Sequence, residues 1–141
     1  MASTKPENRF MKRVHGNIPR VYSDKTNNPY KGGIPDVFYS GCEGDLWVEY
    51  KYIAALPKRA NTQIIPDLSA LQLQWLTRRK REGRNVAVIV GCPTGGVILT
   101  DEQTWVQGLR AQDFISRMYT TAEVSQWIHA QVGDSVWHLP E

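Results

Sequence analysis

The run Asn-Val-Ala-Val-Ile-Val-Gly, residues 85–91, limits the fold more than any other stretch of this chain. After Asn85 it has no polar residue on either side of a two-residue alternation, so as a strand it must be covered on both faces. Just before it, Leu68, Leu71, Trp75 and Leu76 recur at helical spacing, with Ser69 in the N-cap position and Gly83 as the stop. That pattern predicts a helix over 70–82 leading into the buried strand. Upstream, 34–39 and 46–53 carry β-branched and aromatic residues around the turn Ser-Gly-Cys-Glu-Gly-Asp, as an antiparallel pair does. Downstream, Cys-Pro-Thr-Gly-Gly leads into a neighbouring strand at 97–100.

Helices are further predicted over 6–15, where Phe10, Met11 and Val14 form the apolar side, and over 120–133. There Thr120 or Thr121 caps, and Val124, Trp127 and Ile128 face inward. Residues 19–33 and 57–67 read as loops, and 101–118 is ambiguous. The element order predicts an α/β fold in which a mixed β-sheet is flanked by helices.

A length of 141 residues fits a single domain spanning 1–141. No apolar run approaches the roughly 20 residues of a membrane span, and the start Met-Ala-Ser-Thr-Lys lacks a signal-peptide core. The expected location is therefore the cytoplasm, with no membrane partner. Cys42 and Cys92 have no thiol or histidine at zinc spacing and are expected to be two buried, reduced thiols. Residues 1–100 hold 15 Lys and Arg against 8 Asp and Glu, whereas 101–141 hold 2 against 6. The densest basic stretch, 77–84, reads equally as a solvated helix face or as a phosphate-contacting surface.

Chemistry concentrates on the predicted hairpin. Side chains alternate along a strand, so Glu49 and Lys51 share one face while Val48, Tyr50 and Tyr52 take the other. Asp36, behind Gly32-Gly33-Ile34-Pro35, is placed to converge with Glu49. Two carboxylates at one spot repel unless a cation lies between them, and their hard oxygens suit Mg²⁺ or Mn²⁺. The backbone carbonyl of Tyr50 is a further candidate ligand. With Lys51 beside such an ion, the constellation is one for phosphodiester hydrolysis. Glu-x-Lys alone is weak, since chance places it in roughly one of two chains of this length. A solvent-exposed ion pair is its ordinary explanation. The glycines leading to Asp36 and the apolar residues on both sides of Glu49 argue against that explanation.

Ile-Pro-Asp36, Val-Glu49-Tyr-Lys51, the helix start Leu68-Ser69 with Gln72 and Trp75-Leu76, and the buried strand after Gly83 together resemble the PD-(D/E)xK nuclease superfamily. Within it they are most similar to the VRR-NUC branch of virus-type replication and repair nucleases. The resemblance covers about residues 7–90. It implies a restriction-endonuclease-like fold and Mg²⁺- or Mn²⁺-dependent hydrolysis of DNA, with no small-molecule cofactor. It also implies metal ligation by Asp36 and Glu49, a catalytic Lys51, an orienting Gln72 and a homodimer. Glu7 matches a first-helix glutamate that joins the metal shell in several members, although a helix N-terminus favours an acid there in any case.

Lys31, Arg78, Arg79 and Arg81 are the candidate DNA contacts, and Asn27 and Tyr30 are expected to help Lys31 grip the substrate. His15 is a candidate base or phosphate contact, or an ordinary helix-end histidine. Gln74 competes with Gln72 but lies on another helical face. The five tryptophans read as packing rather than as stacking platforms, and His129 and His138 receive no role. The expected activity is a structure-selective endonuclease acting on branched or junction DNA in viral replication, recombination or repair. The alternatives are a nuclease of the same fold acting on single strands, ends or specific sequences, and a DNA-binding protein that does not cleave.

Overall fold

The computed structural model describes residues 5–18, 20–26 and 32–136. The elements are α1 (Pro6–Asn17), β1 (Tyr22–Lys25), β2 (Val37–Gly41), β3 (Gly44–Tyr52), β4 (Gln63–Ile64), α2 (Ala70–Arg81), β5 (Val86–Cys92), β6 (Gly95–Leu99), α3 (Glu102–Gln107), β7 (Leu109–Arg110), α4 (Ala111–Ser116) and α5 (Thr121–Val132). Five strands form one sheet in the order β1-β2-β3-β5-β6, and β4 pairs with β7 apart from it. The β1/β2, β2/β3 and β5/β6 pairs are antiparallel, while β3 and β5 run parallel through the crossover that contains α2. Every residue of β5 is buried, as its uninterrupted apolar run requires.

Alternation along the strands divides the interior into two clusters. On one face Val37, Tyr39, Leu46, Val48, Tyr50, Ala87 and Ile89 pack with Phe10, Met11 and Val14 of α1 and with Val124, Ile128 and Val132 of α5. On the other, Val86, Val88, Val90, Val97 and Leu99 pack with Leu76 of α2, Trp105 of α3 and Phe114 of α4. Gly91 in β5 permits the first contact. A Cβ there would stand 2.6 Å from the ring of Phe10, which is fully buried.

The two long helices after α1 start as their sequences predict. Ser69 accepts from Gln72 N and Thr120 from Glu123 N, each within a reciprocal capping box. Several expectations need correction. The stretch 19–33 contains an edge strand, β1, whose four residues are all exposed and therefore lack the apolar alternation that marks a strand. Leu71 is 56% exposed rather than part of the buried stripe, because α2 settles on the sheet through Leu76, with Leu73 and Trp75 partly covered. Cys92 is a buried free thiol as expected, but Cys42 lies exposed in the β2–β3 turn. Among the described residues, no helix is long and apolar enough to cross a membrane.

Gly91→Ala is expected to destabilise the protein by about 1–3 kcal/mol, the usual cost of overpacking a filled core. Urea unfolding checks this; an unchanged midpoint would show that α1 does not close on β5 as described.

Candidate active site

The antiparallel register of β2 and β3 begins at the pair Val37–Val48. Asp36 therefore stands one residue beyond the ladder, opposite Glu49, where the β2 side of β3 has lost its strand partner. Its carboxylate takes over that role: Tyr50 N donates to Asp36 Oδ2 at 2.9 Å. Trp47 and Ile53 turn their N–H groups toward the β5 side. Because N–H and C=O of one strand residue point the same way, the Tyr50 carbonyl is directed toward Asp36 rather than toward β5.

Glu49 and Lys51 share the face of β3 that carries α2. Glu49 is only 2% exposed, and its Oε2 accepts from Gln72 Nε2 at 3.0 Å and faces Lys51 Nζ at 3.5 Å. Lys51 Nζ also donates to Gln72 Oε1 at 3.2 Å, an oxygen that accepts from Ser69 N at 3.0 Å as well. Gln72 thus serves twice, closing the capping box of α2 and gripping both charged residues of β3. The sequence signal was the spacing Ser69-x-x-Gln72, which fixes this amide at the first turn of the helix.

Burial, and after it the charge of Asp36, pushes the Glu49 carboxyl up to about 8; Lys51 opposes the shift. Asp36 is raised too, again through burial, against the Tyr50 N–H and Lys51. Glu7, half-buried in the first turn of α1, is raised by burial and by Asp36, and its charge adds to the shift of Glu49. Among the described residues, no three His, Cys, Asp or Glu side chains are grouped to hold a metal ion. Glu7 contributes to the local field of the two carboxylates.

The donor set suits a divalent cation. Glu49 Oε1 is buried with no hydrogen-bond partner among the described residues, a state that native interiors rarely tolerate unless an ion or water completes it. With Asp36 beside it and the Tyr50 carbonyl directed toward the same gap, two carboxylate groups and a carbonyl offer hard oxygens.

The remaining candidates separate. His15 lies on the other side of the sheet, bonded through Nε2 to Tyr39 Oη at 2.6 Å, and Tyr39 Oη meets Tyr50 Oη at 2.5 Å. Burial lowers the affinity of His15 for a proton. It is a packed histidine away from the carboxylates. Arg81 forms a paired contact with Glu102 at 3.0 and 3.1 Å, so its charge is already offset. Arg79 lies over the Trp75 ring, 5.6 Å from its centroid, and pairs with Glu82. Arg78 is exposed and has no such ion pair among the described residues. Asn27, Tyr30, Lys31 and His138 fall outside the described residues.

No protein-family model matches the chain, and no curated protein matches it. Among solved structures it is similar to the Holliday junction resolvase Hjc of the archaeal hyperthermophile Archaeoglobus fulgidus. The TM-score is 0.53 at 15% identity, covering 89% of this chain and 99% of that one. The fold is the restriction-endonuclease-like one, a mixed sheet flanked by helices.

The raised Glu49 fixes the sign of a pH effect. Between its ordinary value of 4.5 and about 8, the folded state holds a proton that the unfolded state has lost, so stability falls as pH rises. In chelator, Glu49→Gln is expected to gain on wild type by about 1–3 kcal/mol as pH climbs from about 5 to about 8. Thermal unfolding across pH tests this; a constant difference would contradict the buried, protonated carboxyl.

Proposed function

We propose that the protein is a divalent-metal-dependent endodeoxyribonuclease of the PD-(D/E)xK superfamily, in its VRR-NUC branch, formed as a single domain over residues 1–141. The observation that carries this reading is the meeting of Asp36, Glu49, Lys51 and Gln72 at the end of the β2–β3 ladder, with a buried carboxylate oxygen left unpartnered among the described residues. The likeness to a Holliday junction resolvase supports branched or junction DNA as the substrate, and a homodimer is proposed as the working form.

Asp36 and Glu49, with the Tyr50 carbonyl, are the residues that would hold Mg²⁺ or Mn²⁺. When bound, the ion supplies charge stabilisation at phosphorus and a more acidic attacking water. The chain's own residues do the rest. Burial keeps Glu49 in a low-dielectric setting where each charge is felt strongly. Gln72, fixed at its helix cap, holds the Lys51 ammonium beside Glu49, where it contacts the scissile phosphate or the incoming water and counters charge developing there. In the reaction an oxygen of water bonds to phosphorus, the bond from phosphorus to one sugar oxygen breaks, and that oxygen takes a proton. Arg78, and Arg79 once freed from Glu82, meet phosphates along α2, whereas Arg81 is left to its pairing with Glu102. The setting assigned is the cytoplasm, that of the host for a viral protein, in replication, recombination or repair.

Asp36→Ala is expected to abolish cleavage of four-way-junction DNA in Mg²⁺ or Mn²⁺ by at least about 1,000-fold, a loss typical of removing a group that acts in the transition state. Binding to the same DNA should persist. Gel analysis of labelled junctions beside duplex and single strands tests this; equal cutting by variant and wild type, or cutting by wild type in chelator, would refute it.

A further inference from the structure

Along the side of α2 that carries Leu71, Gln74 and Arg78 lies a groove of about 190 Å³, reaching from Gly32 in the turn before Asp36 to Glu82 at the helix end. Its walls include Leu71, Gln74, Trp75, Arg78, Arg79 and Glu82, whose carboxylate pairs with Arg79 at 3.4 Å. The groove and the carboxylate site share α2 and the turn before Asp36. Leu71 precedes Gln72, whose amide grips Glu49, and a Cβ on Gly33 would stand 2.5 Å from the Leu71 carbonyl oxygen. Gly33 also has φ +89°, so the turn is closed against α2 in a way only glycine accepts readily.

The chemistry of the walls is specific. Leu71 is an exposed apolar side chain, and Trp75 is a half-buried ring held edge-on by Trp47 at 5.2 Å. The Arg79 guanidinium lies over Trp75, and its Nε is buried without a hydrogen-bond partner among the described residues. Gln74 offers both a donor and an acceptor from an exposed position. The volume is below the roughly 300–1,000 Å³ of sites that take drug-sized ligands, so one flat ring system suits it better than a whole cofactor. Aromatic and guanidinium planes, an amide and a cation such as Arg78, which has no ion pair among the described residues, are what a protein uses to hold an unstacked base of a polyanionic strand.

We propose that this groove receives one unpaired or extruded nucleobase of the strand whose phosphate lies at Asp36 and Glu49. This deepens the nuclease reading and rests on it. DNA that can release a base at low cost, at a branch point, flap or mismatch, is then preferred over regular duplex, because extrusion from a paired stack costs several kcal/mol. Gln74 and Leu71 act as specificity-determining residues, and Trp75, noted from the sequence only as packing, presents part of the wall.

The test uses the full chain in chelator, so that binding is read without cleavage. Junction DNAs carrying single abasic sites at successive positions around the branch are titrated by fluorescence anisotropy. The expected result is one position at which removing the base weakens binding roughly 5- to 100-fold, the range for loss of one stacked base. The double substitution Leu71→Ser with Gln74→Ala should erase that difference while normal-base DNA binds as weakly as the abasic one. Junction binding with no dependence on any single base overturns the groove but leaves the nuclease reading standing. Loss of dimer in sedimentation of the double variant, with base dependence intact, would assign the face to a second copy and also overturns it. If wild type fails to bind any DNA, the nuclease reading falls and the groove proposal falls with it.

Discussion

The structure turns on a carboxylate shielded from most of the solvent. Glu49 lies on a central strand, almost wholly covered, with Asp36 against it and one oxygen unpartnered among the described residues. Burying a charge this way is costly unless it is neutralised, and a proton or a cation can do so. The fold makes the arrangement stable by surrounding it with rigid elements. A parallel crossover puts α2 over β3, a capping box fixes Gln72, and the last antiparallel pair ends one residue short of Asp36. Each depends on local sequence rules that also build the rest of the fold.

Two faces of one strand are used for different ends. The odd-numbered residues of β3, Trp47, Glu49 and Lys51, look toward α2 and carry the polar group. The even-numbered ones, Leu46, Val48 and Tyr50, fill the core under α1 and α5. Tyr50 joins the two sides: its ring is packed on the core face, while its backbone N–H holds Asp36. A change in register by one residue would reverse every assignment, which is why the filled core beneath is as much a part of the site as the charges above it.

The strongly patterned elements were legible in the sequence. The apolar run within 85–91, the α2 cap and stop, the α5 cap and the convergence of Asp36 with Glu49 all follow from periodicity and turn residues. What escaped did so for physical reasons. The strand β1 is exposed along its whole length, so no burial pattern records it, and its pairing depends on the distant β2. Leu71 satisfied a helical stripe but faces the groove, because the stripe is wider than the face α2 buries. The pairing of Arg81 with Glu102 joins residues far apart in sequence, and nothing local announces it. Cys42 is exposed because its turn sits at the sheet end, a position that thiol count and compartment do not determine.

In the proposed enzyme Glu49 keeps its proton until a cation replaces it. Isothermal titration of the protein with Mn²⁺ or Mg²⁺ at pH 7, repeated in buffers of differing ionisation enthalpy, measures that exchange directly. The expected result is binding accompanied by release of about one proton per ion, because a ligating carboxyl must lose its proton. Ion binding at this site without proton release, or no binding at all, would contradict it.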